Sequence, residues 1–330
     1  MYIFGKEHLA TKQNILKDNI GFVSIYDFSR ANSSLEARIH AITSVASICY
    51  AKPDAVDKVS LYNRLEAESK GLPSSSFEFV PMLIPIEKIE EAVEEAMLDI
   101  DPYGELKRSM PLDMLFMIKY GTRIEIENGF GSYSEYVLTN FRAVSRDAEE
   151  HNVDLRDFFN TDEDEIQAIK ENYTVFRLKV DLPTRSQFVR SRVNLQELSR
   201  RFVSGKKLGF DFYIDEKIEE LSFVKNMAES EDHYQGFKID AKKLIEISQE
   251  FYDYLLANGV KAEAARRFIP QAAYTELWAG FNNFQLDNFL ELRLESHSQK
   301  EIRFLAEAMR DLWQENSTEE KRRVSRVVTQ

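Results

Sequence analysis

The apolar residues of this chain are spread along its whole length and never form one long run. Hydrophobic residues make up 43% of the 330 residues, but no segment holds the roughly eighteen consecutive apolar residues that a membrane-spanning helix needs. Such a chain can bury a substantial core, in one large domain or two modest ones. We therefore expect a soluble globular protein. The first residues lack the basic and apolar pattern of a secretion signal, so we predict a cytoplasmic location.

The single cysteine and the acidic charge exclude several classes of protein. Cys49 has no partner within the chain, so no intrachain disulfide can form and a reducing compartment is expected. A cysteine-based zinc cluster is excluded by the same count, and we predict no metal site. The formal charge of −13 argues against binding polymeric nucleic acid or an anionic membrane. A local basic pocket for one phosphate is still compatible with this charge.

Apolar residues recur at helical spacing in four long segments. The predicted helices cover residues 32–49, 58–69, 241–258 and 273–312. The serines before Leu35 are suited to cap the first helix. Gly259 is a natural end for the third helix, and the fourth could break near Gly280.

Two shorter segments have the composition of strands. Residues 77–84 are apolar, and Pro81 and Pro85 favour an edge position or an interrupted strand. Residues 174–181 alternate apolar and polar side chains, which is typical of a half-exposed strand. Pro183 should end that strand and begin the next helix.

The segment 186–202 carries four arginines within a largely apolar stretch. Its polar residues at spacings of three and four would form one stripe along a helix, and they are Gln187, Arg190, Asn194, Glu197 and Arg201. Guanidinium groups bind phosphate through paired hydrogen bonds, and Ser199 adds a hydroxyl donor. The stripe therefore predicts an anion site. The alternative is an arginine-rich helix that simply faces water.

A second cluster of polar residues lies between 265 and 302. Arg293 and His297 are four residues apart, and Phe289 would complete the same helical face. A cation and an imidazole beside an aromatic ring suit a planar, hydrogen-bonding ligand such as a pyrimidine or an isoalloxazine ring. The alternative is a histidine with only a structural role.

The two clusters together resemble the flavin-dependent thymidylate synthases. That family carries Arg-Gln-aromatic-x-Arg-His-Arg running into Ser-x-Asn-Glu-x-Ser-x-Arg-Tyr, and the corresponding residues here are 186–192 and 196–202. The later family pattern is matched in order by Ala265, Arg266, Pro270, Tyr274, Thr275, Asn282, Asn288, Phe289, Leu290, Leu292, Arg293, His297, Gln299, Glu301 and Ile302. Fainter likeness at Cys49 and Phe79 extends the resemblance to residues 40–85 and 173–312.

This resemblance implies a fold, a reaction and an assembly. The fold would be a single α+β domain over residues 1–330, with a mixed, mostly antiparallel sheet flanked by long helices. The reaction would be the reductive methylation of dUMP to dTMP with FAD as cofactor. Methylenetetrahydrofolate would give the carbon and NADPH the hydride. A homotetramer would build each active site from more than one subunit.

The resemblance also assigns site residues by position. The dUMP-binding residues would be Gln187, Arg190, Glu197, Ser199, Arg200, Arg201, Arg266 and Arg293. Arg293 would also be catalytic, because a fixed positive charge stabilises negative charge that develops on the uracil ring. The FAD-binding residues would be Ser191, Arg192, Asn282, Asn288 and His297.

Some positions depart from the family pattern and leave other functions open. Ser191 and Phe79 stand where the family has histidines, and the segment before Gln196 is one residue shorter. Residues 86–172 have the character of an insertion, with a helix-like part at 89–97 and acidic runs at 147–150 and 162–165 that should face solvent. Residues 315–330 should form a flexible tail.

Three alternatives therefore stand beside the synthase. The first is a related enzyme that adds a different group at C5 or acts on another pyrimidine nucleotide. The second is a non-catalytic nucleotide-binding relative, which the altered segment around Ser191 favours. The third is an unrelated helical scaffold, which would require the whole C-terminal match to be coincidence.

Overall fold

The computed structural model has an α+β fold built from antiparallel sheets and helices, as expected. It describes residues 12–17, 20–50, 57–67, 74–88, 121–127, 132–145, 159–201, 210–230 and 233–316. The strands are β1 (Lys12–Ile15), β2 (Phe22–Tyr26), β3 (Pro81–Pro85), β4 (Thr122–Glu127), β5 (Tyr133–Asn140), β6 (Tyr173–Asp181), β7 (Asn194–Glu197), β8 (Ser222–Ser230), β9 (His233–Asp240) and β10 (Tyr274–Asn282). The α-helices are α1 (Leu35–Ser47), α2 (Lys58–Ala67), α3 (Glu163–Asn172), α4 (Leu182–Phe188), α5 (Glu216–Glu219), α6 (Ala241–Ala257), α7 (Ala262–Ala265), α8 (Asn283–Leu294) and α9 (Lys300–Glu315).

Some predictions fall outside the described residues. They are the helix-like part at 89–97, the acidic run at 147–150 and the tail beyond residue 316. The other acidic run, at 162–165, is largely exposed at the start of α3, where Asp162 caps the helix.

A five-stranded antiparallel sheet forms the centre of the fold, in the order β1-β2-β6-β10-β7. Its two faces are covered by separate hydrophobic cores. Val175 of β6 belongs to the core that includes α1 and α2, whereas Phe176 belongs to the core that includes α8 and α9. The strand predicted at 174–181 is confirmed as β6, but the prediction that it is half-exposed is wrong, because β6 is a central strand buried on both sides. Its buried Arg177 is compensated by an ion pair of 2.5 Å with Glu276 on β10.

Several predicted helix ends are confirmed by their caps. The Ser34 side chain accepts a hydrogen bond from the Ala37 amide at the start of α1. Asp181 ends β6 and caps α4, with proline in the first turn of that helix. Gly259 takes a φ of 81° just after α6, a left-handed conformation that favours glycine.

The strand predicted at 77–84 is only partly correct. Residues Ser75–Phe79 form a 3-10 helix, which begins with a hydrogen bond from the Phe77 amide to the Ser74 carbonyl. The strand β3 starts later, at Pro81. It lies at the edge of a second sheet with the order β3-β5-β4, which confirms the edge position that the prolines indicated.

The helix predicted over 273–312 is wrong in its first quarter. Residues 274–282 form β10, which pairs with β6 on one side and β7 on the other. Gly280 does not break a helix there. A side chain at that position would collide with the buried hydroxyl of Tyr173 on the neighbouring strand. Glycine therefore permits the close approach of the Tyr173 hydroxyl to the backbone of β10. Asn282 then begins α8 through a capping box with Gln285.

Candidate active site

A cavity of about 340 Å³ lies where α4, the end of β7 and the segment before β10 meet. Four of the predicted nucleotide-binding residues line it: Glu197, Ser199, Arg200 and Arg266. These residues come from two stretches more than sixty positions apart in the sequence. The fold thus brings the core of both sequence clusters to one cavity, of a size that small-molecule sites commonly have.

Glu197 is the most firmly held group in this cavity. Its two carboxylate oxygens lie 3.0 and 2.9 Å from Nε of Arg185, and Nη2 of the same arginine makes a further short contact. The Thr275 hydroxyl donates to the same carboxylate at 3.0 Å. These bonds fix the orientation of the carboxylate on the cavity wall.

Arg185 was not predicted as a site residue. The family pattern places its leading arginine at Ser186, and the arginine one position earlier is the sequence signal that could have revealed it. Because Asp181 caps α4, the side chain of Arg185 projects from the first two turns of a short, fixed helix. Arg185 is the group that couples α4 to β7.

Arg200 supplies a partly buried positive charge to the cavity. Its guanidinium lies 4.7 Å from the centre of the Phe210 ring, and Nη2 donates to the Tyr274 carbonyl at 3.4 Å. Burial lowers the pKa of Arg200, because desolvation penalises the charged form. Arginine nevertheless stays protonated in proteins, so a bound anion would interact strongly with this poorly solvated cation.

The other predicted nucleotide-binding residues are not in this cavity. Arg190 and Arg201 are exposed, and Gln187 lies on the last turn of α4. The predicted polar stripe along one helix is wrong. After α4 the chain forms a short 3-10 turn, and Arg192 adopts a left-handed conformation with a φ of 52°. The segment from Asn194 to Glu197 is the strand β7.

Arg293 lies against the end of α4. Its Nη2 donates to the Gln187 carbonyl at 3.1 Å, and the Gln187 side chain is bonded to that of Gln299 just before α9. The helix α4 therefore contacts the cavity through Arg185 and the predicted catalytic arginine through Gln187. This helix connects the two parts of the candidate site.

The prediction that Phe289, Arg293 and His297 share one helical face is wrong. The helix α8 ends at Leu294, so His297 lies in the following turn, exposed and 3.4 Å from a carboxylate oxygen of Glu295. Phe289 is buried in the core beneath the helix. No proline or glycine between 294 and 299 marked this helix end in the sequence.

The predicted flavin-binding residues fall into two groups. Arg192 and Asn282 are brought together by Gln285, whose side chain donates to the Arg192 carbonyl at 3.3 Å. The Asn282 amide caps α8 and also donates to the Thr122 hydroxyl of β4 at 2.8 Å. The remaining members are Ser191, half-buried in the 3-10 turn, Asn288, exposed on α8, and the exposed His297.

Cys49 is distant from both clusters in sequence but lies directly behind β7 in the structure. Gln196 Nε2 donates to its sulfur at 2.7 Å, and the thiol is 3.2 Å from the Glu197 carbonyl. The Ser75 hydroxyl holds the other end of the Gln196 amide at 2.8 Å. Burial raises the pKa of the Cys49 thiol, so it remains protonated and is unsuited to act as a nucleophile. Phe79, at a position where the family has histidine, is fully buried in the core next to this region.

Among the described residues, no three histidine, cysteine, aspartate or glutamate side chains cluster as metal ligands would. None of the helices that the structure describes combines the length and the apolar character needed to cross a bilayer.

The curated relatives of this chain agree with the resemblance seen in the sequence. A flavin-dependent thymidylate synthase from Aquifex aeolicus is 29% identical over 161 residues, which cover 48% of this chain and 50% of that protein. One from Thermosipho africanus is 31% identical over 152 residues, covering 42% and 62%. The chain thus spans half to about three fifths of the length of these relatives. A crystal structure of the UMP/dUMP methylase PolB from Streptomyces cacaoi, bound with 5-Br dUMP, aligns with 26% identity and a TM-score of 0.35, covering 44% of this chain and 67% of that one.

The match to a protein family is more extensive. The family model Thy1, described as thymidylate synthase complementing protein, matches residues 146–317, just over half of the chain. The matched range begins before β6 and includes the cavity, both sequence clusters and Arg293. The chain therefore belongs to the family of thymidylate synthase complementing proteins.

Proposed function

We propose that this protein is a flavin-dependent thymidylate synthase that reductively methylates dUMP to dTMP. It would use methylenetetrahydrofolate as carbon donor, NADPH as hydride source and FAD as cofactor. The observation that carries the proposal is the cavity in which Glu197, Ser199 and Arg200 meet Arg266. A pocket with two cations, a hydroxyl and an oriented carboxylate has the groups that a nucleotide monophosphate requires.

Each group in the cavity has a distinct part in binding dUMP. Arg200 and Arg266 would hold the phosphate, with Ser199 as a further hydrogen-bond donor. Glu197 can accept a hydrogen bond from a sugar hydroxyl, because Arg185 and Thr275 keep its carboxylate in one orientation. Arg190 and Arg201, which are exposed, would reach the nucleotide only at the rim or from a neighbouring subunit.

Arg293 would act on the uracil ring. Its bond to the Gln187 carbonyl ties it to α4 and so limits the positions that its guanidinium can take. A positive charge held in place before the reaction stabilises negative charge that develops on the ring. Gln187 would thus bind the nucleotide with its side chain and position Arg293 with its backbone.

The FAD site would use Ser191, Arg192, Asn282, Asn288 and His297. Arg192, Asn288 and His297 are exposed, so their polar groups are accessible to a cofactor bound at the protein surface. The Asn282 amide is already bonded within the chain and would support the site from behind. When bound, FAD supplies the redox and carbon-transfer chemistry, while the protein orients and polarises the reactants. An assembly of four identical subunits, with sites shared between them, suits cofactor residues that lie on an open surface.

One observation favours an altered chemistry as the second candidate. Ser191 replaces the family histidine in the 3-10 turn, directly before the left-handed Arg192. Phe79, the other replaced histidine, is fully buried. The flavin and folate side therefore lacks two polar contacts, which is compatible with a different group added at C5 or a different pyrimidine. We place the protein in the cytoplasm, where a single reduced cysteine is the norm.

The test is an assay of the purified protein for flavin and for tritium release from C5-labelled dUMP. We expect oxidised-flavin absorbance, and tritium release that requires both methylenetetrahydrofolate and NADPH. The product should have the mass of dTMP. Tritium release with a product of another mass would support the second candidate. A flavin-loaded protein that binds dUMP but never releases tritium would exclude the synthase and any enzyme that substitutes C5 of dUMP.

A further inference from the structure

The start of the helix α8 is held by two contacts from outside the central sheet. The Asn282 side-chain amide donates to the Thr122 hydroxyl of β4 at 2.8 Å. The next residue, Asn283, donates through its own side-chain amide to the Glu171 carbonyl near the end of α3, at 2.9 Å. Asn282 is one of the proposed flavin-binding residues, so the contact with Thr122 bears directly on how that residue is oriented.

The two contacts come from elements that pack together. Ile124 of β4, two residues after Thr122, is buried in the same small core as Ile169 of α3. Leu83 of β3 belongs to this core as well. The Leu83 amide donates to the Asn160 side chain at 3.0 Å, and Asn160 donates back to the Leu83 carbonyl at 2.7 Å. Close packing and buried hydrogen bonds leave such groups little freedom. The Thr122 hydroxyl is therefore a fixed acceptor.

The strand β4 lies outside the range that the Thy1 family model matches, which begins at residue 146. It belongs to the part of the chain, residues 86–172, that the sequence predicted to be an insertion. The resemblance to the flavin-dependent thymidylate synthases therefore assigns no role to Thr122. Its contact with Asn282 nevertheless joins this part of the chain to the proposed flavin site.

The orientation of the Asn282 amide is set from both sides. Its oxygen accepts from the Gln285 amide at 2.8 Å in the capping box of α8, so its nitrogen faces the other way, toward Thr122. An asparagine amide carries two N–H groups. Thr122 accepts one of them, and no acceptor among the described residues takes the other. The second N–H is the group that Asn282 can offer to a ligand, and Thr122 fixes its direction.

Gln285 extends this network to the turn that holds Arg192. Its side-chain oxygen accepts from the Asn282 backbone amide at 3.0 Å, and its side-chain nitrogen donates to the Arg192 carbonyl at 3.3 Å. Arg192 has a left-handed φ of 52°, which costs free energy for a residue with a side chain and persists where neighbouring contacts hold it. One chain of hydrogen bonds thus runs from Thr122 on β4 to both Asn282 and Arg192.

We propose that Thr122 is a positioning residue of the flavin site, whose hydroxyl holds the Asn282 amide in the orientation that binds the cofactor. This inference rests on the proposed function, because that function assigns Asn282 to FAD. Thr122 acts through Asn282 and not by touching the cofactor itself. A binding group whose side chain is locked by its neighbours loses less freedom when the ligand binds, and this is how β4 contributes to affinity.

FAD titration of the full chain tests the role of Thr122. Thr122→Val replaces the hydroxyl by a methyl group of similar size, and we expect the Kd for FAD to rise about threefold to tenfold, the effect of losing one hydrogen bond. Thr122→Ser keeps the hydroxyl and should restore the wild-type Kd. Thermal melting of each variant measures its stability separately. A Thr122→Val protein with a lower Tm but an unchanged Kd would overturn the proposal.

Thr139→Val is the matched control. Thr139 lies on β5 in the same sheet, but its neighbour Leu138 is the residue that pairs with Thr122. Since successive side chains of a strand point to opposite faces, Thr139 points away from the face that carries the Thr122 side chain. The same change there should leave the Kd for FAD as it is in the wild type. An equal rise in both valine variants would reveal a general effect on the sheet and contradict the positioning role.

A double-mutant cycle determines whether Thr122 acts through Asn282. Asn282→Ser keeps a side-chain oxygen that can cap α8 but removes the amide N–H groups. This substitution should raise the Kd for FAD by itself. In the Asn282→Ser protein, Thr122→Val should then have little further effect, because the bond that it breaks is already lost. Two effects that simply add would refute the proposal.

These results are distinguishable from those of the synthase assay. A wild-type protein that binds FAD and releases tritium from dUMP, with the same Kd for FAD in Thr122→Val, would remove the inference and keep the proposed function. A wild-type protein that binds no FAD would remove the proposed function, and the inference with it.

Discussion

Arg185 and Glu197 form a two-point ion pair on the wall of the cavity, with Nε 3.0 and 2.9 Å from the two carboxylate oxygens. The pair joins α4 to β7 and is about one third exposed on the arginine side. Partly exposed ion pairs stabilise a fold only modestly. The pair is therefore important for its geometry and less for its contribution to stability. What the pair fixes is the direction in which the carboxylate can accept a hydrogen bond.

Arg185→Ala should therefore impair nucleotide binding more than stability. Without the arginine the carboxylate can rotate, and we expect the KM for dUMP to rise about tenfold, which corresponds to about 1.4 kcal/mol. Steady-state kinetics and the Tm measure the two effects. Arg185→Lys, which keeps the charge but cannot form the two-point bond, should show an intermediate KM. An unchanged KM in the alanine variant would contradict the role of the pair.

Arg293→Ala should abolish turnover while the protein remains folded. The guanidinium is half-buried and donates to one backbone carbonyl, that of Gln187, so its loss removes little packing. The expected fall in kcat is about a hundredfold or more, the usual effect of losing a positioned electrostatic group. Single-turnover assays and thermal melting measure the two quantities.

Arg310→Ala is the control for Arg293→Ala. It removes an arginine from α9 that pairs with Asp311, and it should leave kcat unchanged. Full activity of the Arg293→Ala protein would refute the catalytic assignment.

Arg266→Ala should weaken dUMP binding, because Arg266 lines the cavity. We expect the Kd to rise by about tenfold or more through loss of a charge-assisted hydrogen bond to phosphate. Binding of deoxyuridine, which has no phosphate, should be little affected. Arg267→Ala changes the neighbouring exposed arginine, which does not line the cavity, and equal losses in the two variants would argue against a phosphate contact.

Asp181→Asn should change the pH dependence of stability. Burial raises the pKa of Asp181, with a further contribution from Glu301. The folded protein thus holds this proton more tightly than the unfolded chain, and the resulting stabilisation is complete below the ordinary pKa of 3.8 and lost as pH rises through the raised value. Asparagine keeps a cap for α4 and carries no charge.

The measurement is the free energy of unfolding of the wild-type and Asp181→Asn proteins from below pH 3.8 to neutral pH. The stability of Asp181→Asn relative to wild type should increase across this window. Asp181→Ala, which removes the cap, should cost about 1 kcal/mol. A difference between asparagine variant and wild type that stays constant with pH would contradict the raised pKa.

Gly280→Ala should destabilise the central sheet. The added methyl group would collide with the hydroxyl of Tyr173, which is bonded to Asn194 of β7 at 3.2 Å. We expect a loss of about 1–3 kcal/mol from this overpacking. Adding Tyr173→Phe to the same protein should recover part of the loss, because the hydroxyl is the nearest atom. Urea unfolding of the two single variants and the double variant measures the coupling.

Local signals in the sequence predicted the elements whose ends are set by caps. The serine before Leu35, the proline at 183 and the glycine at 259 each act through their own backbone or side-chain chemistry, and the structure has a helix boundary at each. The edge position of β3 followed from its prolines in the same way. Such signals need no knowledge of what packs against the segment.

The predictions were wrong for segments whose secondary structure or burial depends on tertiary packing. Residues 274–282 are apolar enough for a buried helix or a buried strand, and periodicity alone does not separate the two. Pairing on both sides with β6 and β7 makes this segment a strand. The full burial of β6 has the same origin, since a second core covers the face that was expected to meet solvent.

The candidate site was predicted only in part, because some of its residues are placed by tertiary packing. The family pattern identified Glu197, Ser199, Arg200 and Arg266, which the fold gathers in one cavity. It did not identify Arg185, whose importance depends on how α4 faces β7, or the position of Cys49 behind that strand. Contacts between distant segments carry no local signal in a single sequence.

The length of the strand β10 sets the distance between the proposed nucleotide and flavin residues of one chain. Thr275 lies near its first end, at the cavity, and Asn282 lies at its last residue. Seven residues of extended chain separate these two positions by about 23 Å. Reacting atoms must approach within about 3–3.5 Å. With the proposed site residues, a nucleotide at one end of β10 and a flavin ring at the other end would be too far apart to react within one chain. If these assignments hold, we expect the ring that meets the nucleotide to be held by a neighbouring subunit.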